Sequence, residues 1–400
     1  MCQHAKEKWS FDVKKGKALL VDTNRAAVPI YKYLESQGLQ VTVVGGDPDE
    51  TLAKMAKHYV SLDYSDIPAM KKLIIKEQYD YIVPGCTDLS YLVCSKIGYG
   101  QFLALDNEEN VANINSKNRF RLLCRRMNVP IPKTLTIEQA KNSYSIIVKP
   151  VDSFSGRGIT VLKNPNIHDI NQAFETACNV SKTKDALIEE YIEGQLYSYS
   201  AFVQKKKVVA GFFVQEDSTT NPFTVDTSRV VECIGSALRQ RLQEDIENIA
   251  RDLNLVDGLM HVQFIEKEGQ YWVIEMTRRC PGDIYSLLIE FSTQYAYAAN
   301  YAAPFIGNPI ESEIDKKLKH QIVRHTITSK EGELFWGLQF RQAMTIKLFV
   351  PLATSGDYIS PSPYGRIGVV FLELGSEGER NAVYQKLLDR DLYNLDYEEQ

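Results

Sequence analysis

Apolar and polar positions alternate in blocks over the first hundred residues, in the manner of strands and helices that follow one another. Short apolar runs predict buried strands, and apolar positions at helical spacing predict helices. The predicted strands are 17–22, 41–44 and 81–84, and the predicted helices are 26–37 and 67–77. Gly38 follows the first of these helices, as a C-terminal capping glycine does. Alternating strands and helices build a parallel sheet covered by helices, so residues 1–113 are predicted to form a doubly wound α/β domain.

The pattern changes near residue 114. A basic helix over 117–127 stops before Pro130 and Pro132, a pair that marks a boundary. Beyond it the predicted strands are 144–150, 159–162, 185–194, 199–203, 208–214, 261–265 and 271–277, and the predicted helices are 167–180, 238–253 and 283–304. We expect residues 114–305 to be a second domain with a lobe over about 134–190.

The last segment, 306–400, has short strands at 344–350 and 367–372 and a closing helix at 376–389. This mixture predicts a small C-terminal α+β domain. The expected fold class is therefore α/β together with α+β.

A predicted hairpin near residue 270 carries the most informative chemistry of the chain. If the hairpin is centred near Gly269, Gln263 lies opposite Glu275, with Cβ atoms about 5 Å apart. Side-chain alternation places Val273, Glu275 and Thr277 on one face. Mg²⁺ takes one or two carboxylates together with phosphate oxygens, and the arginines that follow suit phosphate. The pattern predicts a metal–nucleotide site, although an amphipathic hairpin with a charged end has the same pattern.

Composition limits the class of protein. The chain has 400 residues and a formal net charge of −5, which disfavours nucleic acid as the main partner. No stretch reaches the roughly 20 apolar residues of a membrane span, and the first residues lack the apolar core of a signal peptide. Seven cysteines, an odd number without a C-x-x-C pair, are typical of reduced thiols. These features favour a cytoplasmic protein without a membrane partner.

Loops after the predicted parallel strands are candidates for contact with substrate, because ligands of such sheets lie at the carboxyl ends of the strands. The candidates are Asp22, Gly45 and the loop 84–88, and each fits ordinary turn chemistry equally well. The first turn lacks the G-x-G-x-x-G pattern of dinucleotide-binding folds.

Four motifs follow one another in a fixed order. They are Lys117 at a helix start, Lys149 on a strand before the Ser/Gly loop 153–158, the strand end 188–194, and the hairpin with Gln263 and Glu275. Taken singly, the loop fits a flexible hairpin tip and each lysine fits a solvated surface charge. In this order, over residues ~15–305, they resemble the ATP-grasp superfamily. Within it the chain is most similar to carbamoyl-phosphate synthetases, biotin carboxylases and amino-acid ligases.

The resemblance implies a set of roles, with ATP and Mg²⁺ (or Mn²⁺) as cofactors. The implied nucleotide-binding residues are Lys117, Lys149, Ser155, Gly156, Gly158, Glu189, Glu190, Tyr191, Ile192 and Glu193. The implied metal ligands are Gln263, Glu275 and Thr277, and the implied catalytic residues are Arg279 and Lys149. Arg279 matches the arginine that faces the transferred phosphate, whereas Arg278 is expected only to pair with a nearby acid.

Two positions depart from the family pattern. Leu196 stands where many relatives have a ribose-binding Glu, and Thr277 stands where an Asn is common. Glu193 and Ser198 are the alternative candidates for the contact with the ribose.

The resemblance implies an ATP-dependent ligase that activates a carboxylate as an acyl-phosphate and joins it to an amine. Its partners are then small-molecule carboxylate and amine substrates, and a homodimer is a further expectation. The N-terminus of the helix at Asp283 suits a substrate carboxylate. Arg229 is either a second anchor or a surface arginine. The alternative, supported by Leu196 and Thr277, is a regulatory or scaffolding protein that binds ATP and has little activity.

Overall fold

The N-terminal part of the chain is a parallel sheet with helices packed against it. A computed structural model describes residues 16–153, 156–232, 234–312 and 317–395. The first elements are β1 (Lys17–Val21), α1 (Val28–Ser36), β2 (Gln40–Gly45), α2 (Thr51–Met55), β3 (His58–Ser61), α3 (Ile67–Glu77), β4 (Tyr81–Pro84) and α4 (Asp88–Gly98). The four strands are parallel, in the order β3-β2-β1-β4. The predicted α/β fold is confirmed, with β3 as a strand that the pattern missed.

A smaller lobe follows two connecting helices, α5 (Glu108–Asn115) and α6 (Lys117–Met127). It consists of α7 (Ile137–Lys141), β5 (Ser145–Pro150), β6 (Thr160–Lys163), α8 (Ile167–Val180) and β7 (Ala186–Glu190). The strands form an antiparallel sheet in the order β6-β5-β7. Ile146, Val148, Ile170 and Ile188 are buried together, so the lobe has an apolar core of its own.

The largest element is an eight-stranded antiparallel sheet, in the order β12-β11-β8-β9-β10-β13-β18-β16. Its first strands and helices are β8 (Gln195–Gln204), β9 (Lys207–Asp217), β10 (Thr227–Val231), α9 (Ser236–Asp252), β11 (Gly258–Lys267), β12 (Gln270–Thr277), α10 (Tyr285–Thr293) and α11 (Tyr297–Ala302). The remaining elements are β13 (Gln321–Ile327), β14 (Glu333–Leu334), β15 (Gln339–Phe340), β16 (Ile346–Pro351), β17 (Tyr358–Ile359), β18 (Gly368–Leu374), α12 (Glu377–Leu388) and β19 (Tyr393–Asn394).

The C-terminal segment contributes directly to this sheet. Strand β13 pairs with β10, and β18 and β16 extend the sheet beyond it. Ile322, Val369 and Phe371 belong to the same apolar core as Leu19 and Leu20 of β1. The division of the chain at 113/114 and 305/306 stays a prediction, and a continuous hydrogen-bonded sheet crosses the second of these boundaries.

The predicted long helix from Asp283 to Pro304 is wrong, because the chain forms two helices there. Helix α10 ends at Thr293, and the next residue, Gln294, has a left-handed backbone with φ +64°. The Glu290 carboxylate accepts a hydrogen bond from the Ala298 amide at 2.9 Å in the first turn of α11. Within the described part of the chain, no helix is long and apolar enough to cross a lipid bilayer.

Candidate active site

In the β11–β12 hairpin Gln263 pairs with Glu275, as expected from the sequence. The pairing results from a β-bulge and not from a regular register. Its turn consists of Glu268 and Gly269, both with positive φ, between the paired residues Lys267 and Gln270. Continued regularly, this register would place Gln263 opposite Ile274. A bulge after Gln263 shifts the register by one residue, so that Gln263 pairs with Glu275. The predicted pair is therefore confirmed, and a bulge that the sequence did not predict produces it.

The bulge also changes which residues of β12 lie on the same face of the strand. Glu275 is exposed on the polar face, where Thr277 pairs with His261. Val273 pairs with Phe264 and is buried with it in the apolar core. Placing Val273 on the same face as Glu275 is wrong, since one extra residue in a strand reverses the alternation.

Glu216 is a carboxylate of this face that sequence reasoning missed. It lies on β9, is only 4% exposed, and accepts a hydrogen bond from Gln263 Nε2 at 2.7 Å. Burial raises the pKa of Glu216 to about 7, and the nearby Glu275 acts in the same direction, whereas hydrogen bonds from Ser198 and Gln263 and the charge of Arg324 act to lower it. The signal was present, because Glu216 follows the apolar strand 208–214 by two residues. Glu216, Gln263 and Glu275 together offer hard oxygen atoms suited to Mg²⁺.

Asp88, at the start of α4, binds the end of β12. Its carboxylate accepts hydrogen bonds from Arg279 Nε at 2.9 Å and Arg279 Nη2 at 3.2 Å. Thr277 Oγ1 donates to the same carboxylate at 2.9 Å and accepts from the Arg279 amide at 3.4 Å, which leaves one oxygen lone pair for a metal. Burial acts to raise the pKa of Asp88, but Arg279 and Thr277 outweigh it and hold that pKa below its usual value. Asp88 of α4 therefore fixes the orientation of Arg279.

Lys149 takes part in a buried ion-pair network. Its Nζ lies 2.5 Å from Glu189 Oε2, and Arg121 Nε lies 2.5 Å from Glu189 Oε1. Burial lowers the pKa of Lys149, while Glu189 acts to raise it. Arg121 Nη1 is buried and has no hydrogen-bond partner among the described residues. Two cations thus share one carboxylate, and the surplus positive charge suits a phosphate.

The glycine loop lies between Lys117 and the β9–β10 connection. Lys117 Nζ is 3.4 Å and 3.3 Å from the carbonyl oxygens of Val151 and Ser153. Gly156 and Gly158 have φ of +70° and +73°, a conformation that favours glycine. A Cβ at Gly156 would lie 2.8 Å from the carbonyl oxygen of Phe223. Ser155, a predicted contact, lies outside the described residues.

Among the described residues, the segment after β7 has main-chain amides without a hydrogen bond, and the Ile192 amide is the first of them along the chain. The Glu190 amide donates to the Lys133 carbonyl at 2.9 Å and the Tyr191 amide donates to Ser145 at 3.1 Å. No hydrogen bond among the described residues engages the Ile192 amide. The Glu193 carboxylate pairs with Lys163 at 2.8 Å on the surface. The Glu189 side chain is already used by Lys149, which limits Glu189 to a main-chain contact.

Two of the arginines discussed above hold the fold. Arg278 pairs with buried Asp106 at 2.8 Å, as expected for a structural arginine. Arg229 donates to Gln215 at 2.9 Å and lies over the Tyr384 ring of α12 at 4.3 Å. Arg229 therefore joins α12 to the sheet, and its role as a second anchor for substrate stays a prediction.

The predicted helix start at Asp283 is also corrected. Asp283 and Ile284 have φ of +55° and +58°, and helix α10 begins at Tyr285. Arg366 donates to the Asp283 carboxylate, and Arg324 Nε donates to the Asp283 carbonyl oxygen at 2.9 Å. Two arginines that the pattern did not single out thus lie at the N-terminus of α10.

Comparisons with known proteins agree with this geometry. Residues 142–286 match the family model of the ATP-grasp domain. Over 221 residues, 53% of the chain, the sequence is 25% identical to the carbamoyl phosphate synthase large chain of a Thermoanaerobacter species, and the match covers 19% of that protein. The chain thus spans about a fifth of the length of such relatives.

Two solved structures are similar over nearly the whole chain. The L-amino acid ligase from Bacillus licheniformis has a TM-score of 0.77 at 17% identity, covering 96% of this chain and 100% of that one. Phosphoribosylglycinamide synthetase from Anaerococcus prevotii has a TM-score of 0.74 at 16% identity, with the same coverage. At this identity the likeness shows the fold, and the predicted ATP-grasp architecture is confirmed.

Proposed function

The chain carries an ATP-grasp domain, and from that premise we propose that it is an ATP-dependent ligase that joins a carboxylate to an amine and forms ADP. The observation that carries this proposal is the polar face of the β11–β12 hairpin. There Gln263 pairs with Glu275 and donates to Glu216, and Arg279 follows four residues after Glu275. Acidic oxygens beside a fixed arginine are what phosphoryl transfer to a carboxylate requires.

In this proposal, the nucleotide lies between the smaller lobe and the large sheet. Lys149, Arg121 and Lys117 neutralise the phosphates, with the glycine loop above them. Ile192 supplies the main-chain contact to the base. These roles rest on the buried positive charge of the Lys149–Glu189–Arg121 network and on the unbonded Arg121 Nη1.

Glu275, Gln263 and Glu216 would hold Mg²⁺, with Thr277 as a fourth candidate, and the ion would supply charge neutralisation for the transferred phosphate. Arg279 is held by Asp88 with its guanidinium fixed. Fixed donors lower a barrier because they need no reorganisation during the reaction. Transfer of phosphate to the substrate carboxylate gives an acyl-phosphate, and the amine then displaces phosphate.

The substrates are proposed to be small molecules, and the proposed location is the cytoplasm. The described cysteines 86, 94, 124, 178 and 280 are free thiols, which supports a reducing compartment. A homodimer remains part of the proposal.

The decisive experiment is an ADP-release screen of purified protein with Mg-ATP against pairs of carboxylates and amines. We expect release that requires both members of a pair. Binding of Mg-ATP without release from any pair would favour the regulatory or scaffolding alternative, which Leu196 in place of a ribose-binding Glu supports.

The nucleotide site is tested separately by calorimetry. Lys149→Ala is expected to weaken ATP binding, but it also leaves a buried charge network incomplete. Lys117→Ala avoids that difficulty, since the hydrogen bonds of Lys117 to described residues go to two carbonyl oxygens at 3.3–3.4 Å and to no buried charge. Lys141→Ala, an exposed lysine of α7, is the control. Wild-type affinity for ATP in both Lys149→Ala and Lys117→Ala would rule out the assignment.

A further inference from the structure

The glycine loop contacts other parts of the chain through two neighbouring residues. Gly156 lies against Phe223 of the β9–β10 connection, since a Cβ added at Gly156 would be 2.7 Å from Phe223 Cβ. The guanidinium carbon of the next residue, Arg157, is 5.0 Å from the centre of the Tyr364 ring. Tyr364 lies in the loop that precedes β18, in the C-terminal segment. The glycine loop of the smaller lobe is therefore in direct contact with the C-terminal segment.

The β9–β10 connection and the loop before β18 are both attached to the same end of β13. Thr220 Oγ1, in the β9–β10 connection, lies 3.1 Å from Thr328 Oγ1. The Ser362 amide, in the loop before β18, donates to the Ser329 carbonyl oxygen at 2.9 Å. Thr328 and Ser329 follow β13 directly, and they are 3% and 5% exposed. Buried residues thus hold both loops, which form a fixed surface beside the glycine loop.

Glycines flank Arg157 on both sides. Gly156 and Gly158 have φ of +70° and +73°, and glycine loses more conformational freedom on ordering than any other residue. Ordering such a segment around a nucleotide therefore costs conformational entropy. A contact that is formed before the nucleotide binds lowers this cost, because the segment is then already in place. The Arg157 side chain makes such a contact with Tyr364.

We propose that Tyr364 is a positioning residue for the glycine loop, which it holds over the phosphates of ATP through Arg157. A guanidinium binds the face of an aromatic ring by cation–π attraction and by stacking. Tyr364 is 67% exposed, so its contact with Arg157 can open when a nucleotide enters or leaves. This inference rests on the proposed ATP-dependent function, and it gives the C-terminal segment a role at the nucleotide site.

Tyr364→Ala removes the ring and tests the contact directly. It should raise the Kd for Mg-ATP about 2- to 5-fold, the size of an exposed cation–π contact, as measured by calorimetry. Amide hydrogen exchange of residues 156–160 should become faster in the protein without nucleotide. Tyr364→Phe keeps the aromatic face and should behave as wild type in both measurements. Tyr358→Ala is the matched control, because Tyr358 is 65% exposed in the same segment.

A double-mutant cycle shows whether Arg157 is the partner of Tyr364. Arg157→Gln removes the guanidinium and should by itself raise the Kd for Mg-ATP. Once Arg157 is glutamine, Tyr364→Ala should have no further effect on that Kd. In turnover, Tyr364→Ala should raise the KM for ATP and leave kcat at saturating ATP unchanged. The temperature of thermal unfolding should also stay the same, since the ring is exposed.

The outcomes separate the contact from the ligase function. Weaker ATP binding and faster exchange in Tyr364→Ala, without ADP release by the wild type from any substrate pair, would keep the contact and reject the ligase. Unchanged ATP affinity and exchange in Tyr364→Ala would overturn the role of Tyr364 and leave the ligase proposal intact. Additive effects in the double mutant, or equal losses in Tyr364→Phe and Tyr364→Ala, would overturn it as well. Absence of ATP binding by the wild type would reject both proposals.

Discussion

Single residues decide how the candidate site is charged. Glu275 is exposed on the polar face of the hairpin, whereas Glu216 is buried beside Gln263. The two carboxylates therefore differ in what their removal should do. Loss of Glu275 should affect the reaction alone, and loss of Glu216 should affect both metal binding and the packing around it.

Glu275→Gln should lower the rate of substrate-dependent ADP release on the order of 10²- to 10³-fold, the usual effect of removing one key electrostatic contact. Thermal stability should hardly change, because the side chain is exposed. Glu268→Gln, at the exposed turn of the same hairpin, is the matched control. A near-normal rate in Glu275→Gln would contradict the metal role. Unfolding of the variant would show that Glu275 contributes to the stability of the fold.

Glu216→Gln should weaken Mg²⁺ binding in the presence of ADP on the order of 10- to 100-fold, as losses around metal sites do. The amide keeps the volume and an oxygen but loses the charge. Direct titration with Mn²⁺, followed by electron paramagnetic resonance, measures this without turnover. Asp217→Asn is the control, since Asp217 bonds Tyr384 at 2.7 Å on the other face of β9. Equal Mn²⁺ affinity in Glu216→Gln and wild type would show that Glu216 is not a metal ligand.

At the scale of elements, the glycine loop and the α10–α11 junction carry the most specific expectations. Both depend on backbone conformations that few residues adopt. Gly156 is in the left-handed region beside Phe223, and Gln294, directly after α10, is in the same region.

Gly156→Ala should displace the glycine loop from the β9–β10 connection and weaken ATP binding. Its Cβ would lie 2.7 Å from Phe223 Cβ, closer than side-chain atoms approach. Gly100→Ala is the control for backbone strain without a steric clash. Gly100 has φ +78°, and a Cβ added there would meet no atom within 4 Å. Each change should cost about 1–2 kcal/mol of stability from the left-handed backbone. Equal ATP affinity in both variants would show that the contact with Phe223 is unimportant.

Glu290→Gln should stabilise the protein at pH 8 and much less at pH 5. Burial raises the pKa of Glu290 to about 7, so its favourable contribution is complete below its unfolded pKa near 4.5 and is lost as the pH rises through 7. Glutamine keeps an acceptor for the Ala298 amide and does not titrate. The expected gain at pH 8 is about 1–3 kcal/mol, measured by urea unfolding. The exposed Glu244→Gln should show no such difference, and an equal gain at both pH values would contradict the assignment.

On the scale of the whole molecule, the large sheet joins parts of the chain that the sequence separates. Strands β13, β18 and β16 follow the predicted boundary at 305/306, yet they extend the sheet that carries the β11–β12 hairpin. Arg324 and Arg366 of this segment also contact Asp283. The C-terminal segment is therefore connected both to the core and to the candidate site.

A chain that ends after Ile306 should fail to fold cooperatively. It would lose Ile322, Val369 and Phe371, which are at most 1% exposed, and burial of each such side chain contributes about 1.5–3 kcal/mol. It would also leave β10 as an open sheet edge, which promotes aggregation. Solubility and thermal unfolding measure the effect. A soluble, cooperatively unfolding 1–306 chain that binds Mg-ATP would make the C-terminal segment a separate domain, as the sequence pattern predicts.

The sequence by itself determined the local elements and the order of the motifs. Helices at 67–77, 117–127 and 167–180 were predicted with the bounds that α3, α6 and α8 have, because helical periodicity is a local property. Lys149, Gln263 and Glu275 were found for a similar reason, since each lies in a short motif. The Gln263–Glu275 pair was also predicted, although the bulge that produces it was not.

Tertiary structure alone decided which distant residues meet. Glu216 reaches Gln263 across 47 positions of the chain, and Asp88 reaches Arg279 across 191. Strand order sets the first contact, and the packing of the parallel sheet against the hairpin sets the second. Arg324 and Arg366 meet at Asp283 in the same way. A pattern of apolar and polar residues states which face of an element is buried, but the identity of the neighbour across that face depends on the whole fold.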